Sequence, residues 1–366
     1  MSDGRLDLRS DQPPLVIVVG SGGVGKTTLA AAMGLESAAA GRDTLVMTFD
    51  PSLRLKDALG VSAASEDEEI AVPTAELGSG AGRLDASLLQ AGRTFDRLVE
   101  RYAPDAAARD RILGNRFYTH LASHLGGILE YMAVERLYEV ASEQRYDRII
   151  LDTPPTTQAI DFLEAPERIV SFLDSGALQI ALRPWFGDSG RLRATSGLGF
   201  VGKGLERFLD RIVGLQLLRD MSEFFRAFGP LFDGFRERAD KVRELLAARD
   251  TVFVLVTGPG ETRIPDTLFF ARRLREAGYR LGPIVVNRVH PDFGVVEPVV
   301  DGAAGDGVEL FRWLGASHRG GLAELRRLLP DDQMLVALPV EKDEPTDLRS
   351  LHALGARIQA QLEGAR

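Results

Sequence analysis

VVGSGGVGKTTLAA, residues 18–31, is the stretch that decides the fold. It grows out of Leu15–Val19, LVIVV, a continuous apolar run that suits a strand buried on both faces. The run ends in Gly20-Ser21-Gly22-Gly23-Val24-Gly25-Lys26-Thr27, which fits G-x-x-x-x-G-K-[ST] between a strand and a helix. Glycines at these places let backbone N–H groups turn inward around phosphate oxygens. The helix start adds partial positive charge. Lys26 would reach the β- and γ-phosphates of a nucleotide, and Thr27, followed by Thr28, would offer magnesium a hard oxygen ligand. The nucleotide-binding residues expected here are therefore Gly20, Ser21, Gly22, Gly23, Val24, Gly25, Lys26, Thr27 and Thr28.

Runs of the same kind recur outward from this loop. Thr44–Thr48, Arg148–Asp152, Thr251–Thr257, Pro283–Asn287 and Met334–Leu338 read as buried strands. Helical patterns separate them at Thr27–Ala40, Leu88–Tyr102, Thr119–Gln144, Pro265–Ala277 and Leu348–Gln361. The alternation predicts an α/β fold, a doubly wound and mainly parallel sheet. Residues 1–14 read as a flexible lead-in without an apolar signal core, followed by a nucleotide-binding core over 15–366. Between Asp161 and Asp250 no strand pattern occurs. That stretch, with about 88–144, predicts an inserted helical subdomain laid on one edge of the sheet.

The whole chain narrows the function classes. It has 366 residues, 45% of them hydrophobic, a formal net charge of −9 and no cysteine. Disulfides and thiolate metal sites are excluded, and the acidic balance speaks against nucleic acid. No run of 18 or more apolar residues occurs, so no membrane-spanning helix is expected, and the composition suits the cytoplasm.

Two acidic residues end predicted strands. Asp152, in YDRIILDTPPT, could hold a magnesium-bound water. Asp50, in VMTFDPSLRLKDALG, could orient or deprotonate an attacking water, or could simply cap a helix before Pro51. A second glycine loop, Gly197–Gly204, has the motif's spacing but lacks Ser or Thr after Lys203 and follows no strand, so it is read as a loop and not as a second site.

Taken together, four segments resemble the arsenical-pump and guided-entry (tail-anchored protein targeting) ATPases with a deviant phosphate loop. They are the loop itself, DPSLRLKD at Asp50–Asp57 like switch I, DTPPTTQAIDFLEAPE at Asp152–Glu167 like switch II, and VVNRVHP at Val285–Pro291 like the adenine-reading segment. The resemblance implies ATP or ADP with Mg²⁺ as ligands. It makes Asp50 the water-orienting carboxylate close to the metal, Asp152 the switch II acid near magnesium, and Thr27 the hydroxyl ligand. Asn287 would bond the adenine edge, and Leu338–Pro339 would line the other side of the base. The family works as a dimer closing over two nucleotides.

The departures from that family are specific. Ser21 stands where it has an extra lysine, Leu53 and Arg54 break the usual switch I, and Thr157-Gln158 replaces Gly-His. Without cysteine no zinc-clasped dimer and no arsenite site through cysteine is expected. A single-domain bacterial branch is the expected placement. Three functions then fit. One is a dimeric ATPase switch whose helical subdomain, with Phe172, Leu178, Phe208, Phe224 and Phe228, binds a hydrophobic or membrane-protein client. The second is a slow regulatory subunit paired with a lysine-bearing paralogue. The third is a positioning ATPase of the MinD or ParA kind, which the near charge-balanced C-terminal segment disfavours.

Overall fold

The computed structural model describes residues 6–10, 12–48, 59, 69–88, 91–116, 118–119, 128–153, 164–165, 167–168, 171, 220, 223–224, 227, 231–293 and 304–364. The LVIVV run and the following glycine form strand β1 (Leu15–Gly20), buried at every position. Both of its edges carry hydrogen-bonded neighbours. β5 (Arg148–Asp152) pairs on one side, with Val18 opposite Asp152, and β6 (Thr251–Thr257) on the other, with Gly20 opposite Val256. Around them lie β2 (Thr44–Thr48), β3 (Ile70–Ala71), β4 (Leu84–Leu88), β7 (Leu281–Val289) and β8 (Leu335–Pro339). The sheet order is β3-β4-β2-β5-β1-β6-β7-β8, parallel throughout except for the antiparallel β3–β4 pair. This is the α/β, mainly parallel architecture that the strand–helix alternation predicts.

Among the described residues the main helices are α1 (Lys26–Ala39), α2 (Ala91–Tyr102), α3 (Ala106–Leu113), α4 (Ile128–Glu143), α5 (Phe232–Ala247), α6 (Ile264–Glu276), α7 (Ala304–Leu328) and α8 (Leu348–Gly364). Helix α1 crosses from β1 to β2, and α8 packs along it. Their closeness depends on Gly355, where a Cβ would lie 2.3 Å from the carbonyl oxygen of Ala32. The apolar stripe of α8, with Leu351, Leu354, Ile358 and Leu362, is buried in the same core as Val16, Val18, Ala31 and Leu35.

The structure departs from the sequence expectations in several elements. Leu88, expected to open a helix, is the last residue of β4, and the helix begins at Ala91. β4 reads LDASL, and its Asp85 and Ser87 disguise a fully buried strand. Asp85 is tolerated there because the Tyr146 hydroxyl donates to it at 2.7 Å and Arg83 lies 3.3 Å away. The 25-residue α7 was not expected, because glycines interrupt its pattern. Two of these permit close approach: a Cβ on Gly315 would meet Pro291 O at 2.3 Å, and one on Gly321 would meet Gly260 at 2.9 Å.

Residues 6–10, expected within a flexible lead-in, are anchored instead. Leu6 and Leu8 are buried, the Leu8 N–H donates to Gln359 Oε1 at 2.8 Å, and the buried Arg148 guanidinium donates to the Asp7 and Ser10 carbonyls. The segment thereby covers the otherwise costly charge of Arg148.

Two compact units divide the chain. One comprises Met1–Leu89, Val140–Ile160 and Glu244–Arg366, and contains the sheet. The other comprises Gln90–Glu139 and Asp161–Arg243. The second has its own core, in which Phe95, Tyr118, Tyr131, Phe224 and Phe235 are buried. Glu135 there is 1% exposed and paired with Arg238. Burial drives the Glu135 carboxyl upward, and the guanidinium opposes that shift.

Candidate functional site

The site lies at the carboxyl ends of the central strands, where an open parallel sheet places its ligands. β1 ends at Gly20, whose φ is +151° and where a Cβ would fall 2.0 Å from the Val256 carbonyl oxygen. Only a glycine lets the chain leave the strand so close to β6. At the other end of the loop Gly25, with φ +93°, caps α1 without any side-chain hydrogen bond. A Cβ there would sit 2.6 Å from Asn287 Nδ2. The first N–H groups of α1 thus open onto the loop without a capping side chain, an arrangement suited to anion oxygens.

Lys26 is 7% exposed, and its ammonium donates to the Ser21 carbonyl at 3.1 Å, so it curls back over the loop. The Thr27 hydroxyl donates to Asp152 Oδ2 at 2.6 Å. Thr48, at the end of β2, donates to the same oxygen at 2.8 Å. Thr48 gave no signal in the sequence beyond closing an apolar run, yet the β2–β5 pairing sets it opposite Asp152. A hydroxyl and a carboxylate converge beside the start of α1, an all-oxygen set of the kind magnesium takes when phosphate and water complete its shell. Among the described residues there is no cluster of three or more His, Cys, Asp or Glu that would cage a metal alone. The donor set therefore fits a magnesium ion shared with a phosphate chain, held by Thr27 and Asp152.

Asn287, on β7, donates through Nδ2 to the Val24 carbonyl at 2.8 Å. It borders a cavity of about 580 Å³ lined also by Gly25, Thr28, Arg288, Pro339 and Val340. Pro339 lines this cavity, whereas Leu338 is fully buried in the sheet core and is not among the residues that line it. The reason is alternation: successive strand residues point to opposite faces. Arg288 adopts φ +63°, an uncommon backbone for a non-glycine residue, with its guanidinium near Gly23 O at 3.4 Å and Glu344 at 3.6 Å.

Arg263, in the turn Glu261–Arg263 after β6, brings Nη1 to 3.5 Å from the Ser21 hydroxyl. Sequence reasoning missed it as well, since nothing in GPGETR marks the arginine. Asp50, the rest of Asp50–Asp57 including Leu53 and Arg54, most of Asp152–Glu167 and the second glycine loop Gly197–Gly204 lie outside the described residues.

A glycine loop between a strand and a helix, on a parallel sheet, makes this a P-loop nucleotide-binding protein of the α/β class. Residues 14–188 match the model of the anion-transporting ATPase family. The chain is 28% identical over 311 residues to an uncharacterized protein of Streptomyces coelicolor, covering 85% of this chain and 71% of that one. A putative arsenical pump-driving ATPase of Halobacterium salinarum is 29% identical over 170 residues, 45% of this chain and 26% of that protein. ATPase GET3 of Pyricularia oryzae is 28% identical over 180 residues, 45% of this chain and 50% of GET3. The chain thus spans half or less of the length of these last two relatives.

Proposed function

We propose that this protein binds ATP with Mg²⁺ and hydrolyses it to ADP and phosphate. The observation that carries this is the convergence of Thr27, Asp152 and Thr48 oxygens beside an uncapped helix start, with Lys26 folded over the loop. Lys26 would bind the β- and γ-phosphates. Magnesium, when bound, would supply charge for the leaving diphosphate. Thr27 and Asp152 would hold the ion and its water, and Thr48 keeps the Asp152 carboxylate oriented. Asp50 follows β2 closely and would orient the attacking water. With Asn287 Nδ2 engaged by Val24, its Oδ1 is the group that would accept from the exocyclic amine of adenine.

Dimer closure over two nucleotides, homomeric or with a lysine-bearing paralogue, and engagement of a hydrophobic client by the helical unit extend the same proposal. They are supported by the resemblance of the loop and switch segments. Ser21, a neutral residue, favours slow turnover of the chain alone as a second reading. The MinD- or ParA-like alternative loses support because the apolar stripe of α8 is core and not a free membrane-binding face. Among the described residues no helix is long and apolar enough to cross a membrane.

The test is equilibrium binding of ATP with magnesium to the wild type and to Lys26→Ala. Loss of a charged group that contacts phosphate should weaken binding by about tenfold to 100-fold or more. Equal affinity in the two proteins would show that the loop is not the phosphate site.

A further inference from the structure

Two cations meet Ser21. Lys26 donates to its carbonyl at 3.1 Å, and Arg263 approaches its hydroxyl at 3.5 Å. The second contact is at the limit of a hydrogen bond, so it holds the guanidinium only loosely. Arg263 is exposed, and among the described residues no carboxylate lies within ion-pair distance of it. Its backbone is firmly rooted by comparison. The Arg263 N–H donates to Gly260 O at 3.3 Å, and its carbonyl accepts from Thr267 Oγ1 at 2.7 Å. The Thr267 hydroxyl lies in turn 2.8 Å from that of Thr257, the buried last residue of β6. A long cationic arm therefore stands on a fixed base beside the phosphate loop. It comes from the β6 side of β1, while Asp152 comes from the β5 side.

The direction of a bound nucleotide follows from the same residues. The base cavity is lined by Gly25, Thr28, Asn287 and Pro339, at the helix end of the loop. Lys26, which serves the β- and γ-phosphates, folds back to residue 21 at the strand end. The terminal phosphate thus belongs near Ser21, whose own side chain offers a hydroxyl and no charge, beside the Lys26 ammonium. A guanidinium offers five donors in a planar fork that matches phosphate oxygens in pairs.

We propose that Arg263 supplies, from within the same chain, the cation that contacts the terminal phosphate, leaving the Ser21 hydroxyl when a nucleoside triphosphate binds. The proposal rests on the ATP-binding reading above and adds to it a residue that distinguishes triphosphate from diphosphate.

The experiment is a pair of fluorescence titrations in magnesium, with a non-hydrolysable ATP analogue and with ADP, on the full chain. Arg263→Ala and Arg263→Gln should each weaken the triphosphate by about tenfold or more, with the diphosphate affected much less. Arg263→Lys should recover part of the loss, since it restores charge without the fork. Arg272→Ala, which removes an exposed guanidinium from α6, should leave both affinities unchanged and serves as the charge control. Equal losses for the two nucleotides, or wild-type affinity in Arg263→Gln, would mean that the arginine only braces the loop, and would overturn the proposal. A wild-type chain that binds neither nucleotide would instead remove the ATP reading itself. Binding that depends on Lys26 but not on Arg263 would remove this proposal alone.

Discussion

At the scale of single residues, the proposed site would separate holding a nucleotide from cleaving it. Thr27 and Asp152 share one hydrogen-bonded group with Thr48, and the buried Lys26 donates to the Ser21 carbonyl, so each is buried or braced by another residue. Such groups cost little reorganisation when the ligand arrives, which is what makes fixed dipoles and charges effective. The task proposed for Asp50 is different. Its carboxylate would accept a proton from, or orient, the attacking water, and the amide of Asp50→Asn has nearly the same shape without that basicity. The expected outcome is ATP affinity close to wild type with single-turnover hydrolysis slowed by about 10²–10⁴-fold. Single-turnover rates measured with binding checked separately decide it: an unchanged rate would leave Asp50 as a helix cap before Pro51.

At the scale of elements, the phosphate loop is only as rigid as the helix that follows it. α1 is clamped between the sheet and α8, and the clamp depends on a glycine in each close approach. Gly355 admits the Ala32 carbonyl, so Gly355→Ala drives a methyl group to 2.3 Å from that oxygen and 2.9 Å from Glu36 Cβ. Alanine normally improves a helix by about 1 kcal/mol over glycine. Overpacking against backbone should outweigh that gain and destabilise the chain by about 1–3 kcal/mol. Gly364, in the last turn of the same helix, has open space around its Cβ position. Gly364→Ala should therefore be neutral or slightly stabilising. Thermal melting of the two variants side by side checks this, and equal melting temperatures would show that the α1–α8 contact is not tight.

At the scale of the whole molecule, the chain path connects the nucleotide site to the helical unit. Asp152 ends β5, and the second segment of the helical unit starts at Asp161, nine residues later along the chain. Closure on a terminal phosphate through such a connection is a familiar switching device. If the proposed switch operates, ATP with magnesium should change hydrogen-exchange protection in Pro184–Gly204 and the segments flanking it, and ADP should change it less. Protection confined to the loop at residues 20–28 would leave the proposed ATPase without a moving part.

The amino-acid sequence by itself determined the local elements: β1, the glycine loop, α1 and the place of Lys26 and Thr27 at the helix start. These depend on residues close in the chain, where a buried strand, a turn that needs glycine and a helix start each leave a pattern within a few positions. Asp152 was legible for the same reason, as an acid closing an apolar run, and Asn287 through the segment around it. Tertiary structure decided what depends on distant partners. β4 is a strand because Tyr146 satisfies Asp85 from 61 positions away, so its polar residues conceal it in a sequence read for apolar runs. Leu6 and Leu8 are buried because α8 and Arg148 receive the segment around them. α7 hides behind glycines that matter only where Gly260 and Pro291 approach it. Thr48 reaches Asp152 through strand pairing, and Arg263 reaches Ser21 across 242 positions. A short-range pattern encodes which element forms, whereas the side chains that meet at the ends of neighbouring strands are set by sheet order and register, which no local stretch of the chain contains.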